Sequence, residues 1–164
     1  MLAAEAEKSG RVASCVFNVR YHAAIGRIRD IVTGGQLGRP LLIYGSYLQE
    51  FQALPAAWDW RYDLALGGDL RAVTEIGTHW FDTVQYVTGQ QIVRVSAVTE
   101  NFWPQRRLTM PDGEERTVPV VSEDAAVILM RFDGGVLGNV VLSEASPGRG
   151  NHLSFEITCE RGNL

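Results

Sequence analysis

The sequence predicts an α+β domain: a mostly antiparallel, open sheet of about six strands with helices packed on one face. Three observations predict it. Four β-branched, apolar runs at 92–100, 124–132, 136–143 and 153–158 follow one another without a helical period between them. Asp133-Gly134-Gly135 joins two of those runs as a tight hairpin, and hairpin-linked strands pair antiparallel. The helical patterns fall ahead of this series rather than between its members, as an α+β layer requires.

Taken in order, Met1 to Ser9 read as the end of a helix (Ala-Ala-Glu-Ala-Glu-Lys). Residues 11–19 are β-branched and apolar, a buried strand candidate. In 23–32 the isoleucines at 25, 28 and 31 repeat with a helical period, and Gly34-Gly35 supplies the stop. A turn at Gly38-Arg39-Pro40 leads into a second strand over 41–50. Residues 51–68 form an irregular loop carrying Trp58, Trp60, Arg61 and Tyr62. The pair Gly67-Gly68 opens a helix over 70–87 that ends at Gly89. The polar stretch 106–119, with Pro111-Asp112-Gly113 inside it, is a long hairpin excursion. The predicted order is strand–helix–strand–helix and then four strands, a single domain over 1–164. A chain that starts inside a helix and stops at Asn163-Leu164 without a capping element reads as part of a longer protein, cut at both ends.

Bulk composition narrows the function. A hydrophobic share of 46% and a charged share of 21% are those of a water-soluble globular chain. No apolar run approaches the roughly 18 residues needed to cross a bilayer, and no basic segment precedes a short apolar one. The net charge of −4 comes without a basic stripe, which argues against nucleic acid. Cys15 and Cys159 lie in apolar runs without a secretory signal, so both are expected to be reduced and buried, with the cytoplasm as compartment.

The chemistry concentrates in one stretch. Glu75, His79 and Asp82 stand at i, i+4 and i+7 on the predicted helix, so their side chains share a face at about 3.6 residues per turn. An imidazole between two carboxylates handles protons near neutral pH. The competing reading is a buried, hydrogen-bonded histidine on an ordinary amphipathic helix, and spacing alone does not decide between them. His22 or His152 could complete a metal-ligand set with Glu75, His79 and Asp82, yet no H-E-x-x-H or cysteine cluster accompanies them, and no metal is expected. A dinucleotide or P-loop glycine motif is missing, as is a G-x-S-x-G elbow. Gly67-Gly68 could place amides near a ligand, but its spacing is explained better by tight loop geometry. Trp58, Trp60 and Tyr62 offer an aromatic platform for a sugar ring, or a cover for one end of the sheet.

Six short segments in a fixed order carry a resemblance. They are Phe17-Asn18-Val19-Arg20-Tyr21; Gly35-Gln36-Leu37-Gly38 with Pro40; Trp60-Arg61 ahead of the glycine pair; Glu75-Ile76-Gly77-Thr78-His79-Trp80-Phe81-Asp82; Val87-Thr88-Gly89; and 124–138 followed by Gly148-Arg149-Gly150-Asn151. Over essentially its whole length the chain resembles the C-terminal domain of the Gfo/Idh/MocA oxidoreductases, the glucose–fructose oxidoreductase and inositol dehydrogenase group. The resemblance implies an N-terminal Rossmann domain, absent from this chain, that binds NAD or NADP and carries a lysine beside the nicotinamide. It implies that His79 is the general acid/base for a substrate hydroxyl. Glu75 stands where the family usually has Asp, one methylene longer, which affects how it could orient the imidazole. Asp82 is expected to support the helix or the ring. Arg20, Tyr21, Trp60 and Arg61 become candidates for the substrate pocket, with a structural salt bridge as the competing role for Arg20 and packing for Trp60.

Two functions follow. In the first, the chain is the substrate domain of an NAD(P)-dependent dehydrogenase acting on a sugar, polyol or cyclitol, inactive alone, with no cofactor-binding residue of its own. It would assemble as a homodimer or homotetramer through the open sheet face. In the second, it is a stand-alone, non-catalytic carbohydrate-binding or oligomerisation module derived from that family.

Overall fold

The computed structural model describes residues 2–53 and 56–164. Its N-terminal helix, α1 (Leu2–Ser9), buries none of its residues. Residues 11–16 do not form the buried strand predicted for 11–19. They are exposed, Val12 and Val16 among them, and no described strand pairs with them. An apolar, β-branched run becomes a strand only where a ladder partner satisfies its backbone groups, and none of the described strands supplies one here. Cys15 is consequently exposed, contrary to expectation, whereas Cys159 is buried; both are free thiols. The chain then makes a single 3₁₀ turn, Asn18–Tyr21, and enters α2 (Ala23–Thr33), which buries Ile25 and Val32 at the predicted helical period.

The strands are β1 (Pro40–Gln49), β2 (Ala56–Ala57), β3 (Ile92–Glu100), β4 (Gln105–Thr109), β5 (Glu115–Pro119), β6 (Ala125–Phe132), β7 (Leu137–Ser143), β8 (Asn151–Cys159) and β9 (Gly162–Asn163). Six of them form the main sheet in the order β3-β6-β7-β1-β8-β9. All neighbours are antiparallel except β1 and β7, which run parallel with Ile43 opposite Gly138. The six strands are reached by a different route from the predicted one, since β9 takes the place of the strand expected at 11–19. The excursion over 106–119 is the β4–β5 hairpin, which joins β2 in a small second sheet around Tyr62, Leu108 and Val120.

The loop over 51–68 contains a 3₁₀ turn, Trp60–Tyr62, and a one-turn helix, α3 (Leu64–Gly67). The glycine pair therefore closes a short helix instead of opening a long one. Gly68 sits at φ 82°, where a side chain is strained, and its amide caps the Leu64 carbonyl. The long helix begins at Ala72, later than the predicted 70, with a π turn over Val73–Gly77 that runs into α4 (Thr78–Thr88). Its start is set from outside the local sequence. The Glu123 carboxylate, just ahead of β6, accepts from the backbone amides of Arg71 and Val73, each at 2.8 Å. A negative charge accepting orphan amides is the favoured partner for a helix N-terminus.

The π turn and α4 cover one face of the main sheet. Ile76, Trp80, Val84 and Val87 meet Ile43, Ile128, Val140, Leu142 and Ile157 in one buried cluster. Trp80 is fully buried and its indole N–H donates to the Ser154 carbonyl at 3.0 Å, tying the helix to β8. The two layers approach so closely at Gly77 that a Cβ there would stand 2.6 Å from Leu142 Cδ1. Each large side chain sequestered this way contributes about 1.5–3 kcal/mol. The opposite face is open: Val98, Val127 and Val141 form one exposed cross-strand row, with Leu129 and Leu137 beside it.

Candidate functional site

The π turn puts Glu75 beside the 3₁₀ turn that carries Trp60 and Arg61. Asp59 initiates that turn by accepting from the Arg61 amide at 2.9 Å, and the same carboxylate holds the Arg61 guanidinium at 3.0 Å. Arg61 Nε reaches Glu75 Oε2 at 2.7 Å while the guanidinium stacks 4.7 Å above the Trp60 ring. Trp60, 48% exposed, Arg61, Leu66, Gly67, Leu70, Arg71, Thr74 and Glu75 enclose a groove of about 400 Å³. An aromatic face next to a carboxylate and a guanidinium offers a ring-stacking surface and hydrogen-bonding groups of both kinds, which is what a polyhydroxylated ligand requires. Gly67 belongs to this wall through a close approach: a Cβ there would lie 2.8 Å from the Arg61 carbonyl oxygen.

Behind the groove lies a buried charge cluster that sequence reading did not single out. Arg71 and Asp124 are ion-paired with side chains 1% and 0% exposed, and Arg106 reaches the same Asp124 oxygen. Asp124 Oδ2 accepts from the Phe102 amide at 2.8 Å. The Tyr62 ring faces both guanidiniums, at 5.2 Å from Arg71 and 5.7 Å from Arg106. Glu144, at the end of β7, is buried with Arg71 Nη1 3.6 Å away. Burial pushes its carboxyl up to about 8; Arg71 pulls in the opposite direction, and the neighbouring Glu75 raises it further. The available signal was positional: acidic residues directly flanking otherwise apolar strands, Glu123-Asp124 before β6 and Glu144 after β7.

The remaining candidates gather further along the helix. Arg20 grips Asp82 through two bonds, one of them Nε to Oδ2 at 2.6 Å, and lies 4.9 Å over the Tyr86 ring. Cys15, Phe17, Arg20, Tyr21 and Asp82 line a recess of about 290 Å³, at whose mouth Tyr21 is 87% exposed. Asp82 is buried. This is the salt-bridge alternative for Arg20, fastening the 3₁₀ turn to α4.

His79 stands between the two groups. It hydrogen-bonds neither carboxylate: Glu75 is held by Arg61 and Asp82 by Arg20. The imidazole flanked by two acids, which the spacing alone suggests, is replaced by a ring packed edge-on against Phe17, centroids 5.5 Å apart. Its Nδ1 is buried and finds no hydrogen-bond partner among the described residues. A buried imidazole nitrogen without a partner is costly, about 1–3 kcal/mol, unless a ligand, water or neighbouring domain supplies one. Among the described residues no group of three or more His, Cys, Asp or Glu is arranged to hold a metal ion.

Comparison with known proteins places this geometry in a family. A model described as the GFO/IDH/MocA C-terminal domain matches residues 25–164. The chain belongs to that family. It is 30% identical over 158 residues to levoglucosan dehydrogenase from Pseudarthrobacter phenanthrenivorans, covering 90% of this chain and 40% of that enzyme. An oxidoreductase domain protein from Kribbella flavida superposes with TM-score 0.86 at 34% identity, over 99% of this chain and 42% of that one. Levoglucosan dehydrogenase in complex with NADH and L-sorbose superposes with TM-score 0.81 at 32% identity, over 90% of this chain and 38% of that one. The domain thus spans about two fifths of the relatives it matches. Among the described residues no helix is long and apolar enough to traverse a membrane.

Proposed function

We propose that this domain supplies the substrate side of an NAD(P)-dependent dehydrogenase that oxidises or reduces a hydroxyl of a sugar, polyol or cyclitol. The observation that carries the reading is His79, a half-buried imidazole whose Nδ1 is unpartnered among the described residues, one turn along the helix from Glu75 in the wall of the Trp60–Arg61 groove. The relatives named above, one of them in complex with NADH and L-sorbose, support the substrate class and the cofactor. His79 takes the hydroxyl proton as the substrate is oxidised and returns it in reduction. Arg61 and Glu75 orient neighbouring hydroxyls, Trp60 stacks on the ring, and Arg20 with Asp82 fixes the turn that closes the far side.

The described residues do not fit a dinucleotide. No strand leads through a glycine loop into a helix N-terminus, and the glycine pair that might have served caps a one-turn helix instead. A nicotinamide cofactor, which accepts or donates the hydride, is therefore assigned to a separate Rossmann domain of the same protein. The proposal extends to assembly: the open sheet face with its Val98–Val127–Val141 row is where a second copy packs. A reducing, cytoplasmic setting agrees with two unbridged cysteines.

A second reading keeps the groove without the redox chemistry, and one observation favours it: both carboxylates near His79 are engaged by arginines. Calorimetric titration with polyols, with and without NAD(H), separates the two. Binding that strengthens with the cofactor in the protein carrying both domains supports the dehydrogenase. Equal binding regardless of cofactor supports the binding module.

A further inference from the structure

Four buried polar atoms of two neighbouring side chains lack hydrogen-bond partners among the described residues: Arg71 Nε and Nη1 and both Glu144 oxygens, with Arg71 Nη1 3.6 Å from Glu144 Oε2. Beside them Glu75 Oε2, also buried, is reached by Arg61 Nε at 2.7 Å. Ionised carboxylates are acceptors only, so facing Glu75 and Glu144 share no hydrogen bond unless one of them carries a proton. The nearest cation stays outside hydrogen-bond reach: Arg71 Nη2 bonds to Asp124 and, at 3.3 Å, to the Glu123 carbonyl, which leaves Nη1 3.6 Å from Glu144 Oε2. Charge counting points the same way. The buried set contains Arg71 and Arg106 against Glu123, Asp124 and Glu144, two positive charges and three acids. Glu123 serves as acceptor of two backbone amides and Asp124 as partner of two arginines. Neutrality in a low-dielectric interior then falls on Glu144.

We propose that Glu144 is a neutral carboxylic acid in the folded protein and donates its proton to Glu75, so that the two form one proton-sharing pair at the floor of the groove. Glu144 is then a positioning residue. It fixes Glu75 from behind while Arg61 holds it from the front, leaving the remaining Glu75 lone pairs directed at whatever occupies the groove. The charged and titratable groups whose fields act on Glu144 are Arg71, 3.6 Å away, with Glu75, Glu123, Arg61 and Tyr62 around it. The consequence for turnover rests on the dehydrogenase reading, whereas the proton itself does not.

The test is infrared difference spectroscopy of the full chain at neutral pH, comparing wild type with Glu144→Gln. The amide keeps the donor and the volume and removes the acid. The expected result is a protonated-carboxyl C=O band in wild type that is absent in Glu144→Gln and disappears when wild type is titrated to alkaline pH. Only carboxylate bands at neutral pH, or a band that persists in Glu144→Gln, would overturn the proposal. Should Glu144→Gln fail to fold, Glu75→Gln gives a second reading. Removing the like charge lets Glu144 ionise against Arg71, so its band must vanish at lower pH than in wild type; an unmoved titration is contrary to the pairing. In the two-domain enzyme, Glu144→Gln is expected to raise KM several-fold and flatten the alkaline limb of the KM profile, with Glu144→Asp rescuing neither. Absence of any nicotinamide-dependent turnover in the wild-type two-domain protein, with the infrared band behaving as expected, would count against the dehydrogenase reading and leave the proton pair standing.

Discussion

Arg71→Met is the most informative perturbation of the fold, because Arg71 joins the helix that carries Glu75 to the strand ends behind it. Its side chain is 1% exposed and pairs with Asp124 at 0% and Glu144 at 1%. Methionine fills similar space but withdraws a positive charge, leaving Arg106 alone against Asp124 and Glu123. Removing one partner of a buried pair costs about 3–5 kcal/mol, mainly through the abandoned charge. For a domain of total stability about 5–15 kcal/mol, that is a large fraction. With a urea slope of about 2 kcal/mol per molar, the midpoint falls by about 2 M at unchanged slope. The double variant Arg71→Met/Asp124→Asn should recover about 1–3 kcal/mol relative to the sum of the singles, the coupling expected of contacting residues. Urea denaturation followed by tryptophan fluorescence reads this directly. A loss under about 1 kcal/mol for Arg71→Met, or strict additivity in the double variant, refutes the cluster as the link between helix and sheet.

Other outcomes follow from the same structure. Trp80→Phe removes the indole bond to the Ser154 carbonyl and leaves a buried acceptor; it is expected to cost about 1–3 kcal/mol by the same urea assay. Stability should decline as pH rises from about 4.5 through about 8, because the folded state holds the Glu144 proton more tightly than the unfolded chain does. The contribution is fully present below the unfolded value and lost above the folded one, and Glu144→Gln should remove that decline from a series of denaturation curves across this window. Leu129→Lys places a charge on the open sheet face and is expected to shift the assembly to a smaller species in sedimentation without altering the monomer's circular dichroism.

Much of the fold was legible because it rests on local chemistry. The isoleucine period at 25, 28 and 31 marked α2, and Ile92–Glu100 was readable to its ends as a β-branched run. Asp133-Gly134-Gly135 announced its hairpin, with Gly135 at φ 82°. The errors arose where distant residues decide. Residues 11–19 have a strand's composition without a strand's partner. The long helix starts where Glu123, some fifty residues on, can accept its first amides, a contact invisible to local reading. The site was half legible for the same reason. Helical spacing put Glu75, His79 and Asp82 on one face, but which group each carboxylate binds depends on Arg61 and Arg20 from separate turns. Glu144 escaped notice because nothing in a strand's sequence tells whether the charge after it points to water or into the interior.

The central claim is that His79 moves the substrate proton in a nicotinamide-dependent reaction. The most direct measurement is steady-state kinetics of His79→Ala in the protein that joins this domain to its dinucleotide-binding partner. Cofactor affinity should be followed separately by NADH fluorescence. The account predicts that kcat falls by about 10²–10⁴, the usual contribution of a general acid/base, while NADH affinity is unchanged. Turnover within a few-fold of wild type would contradict it.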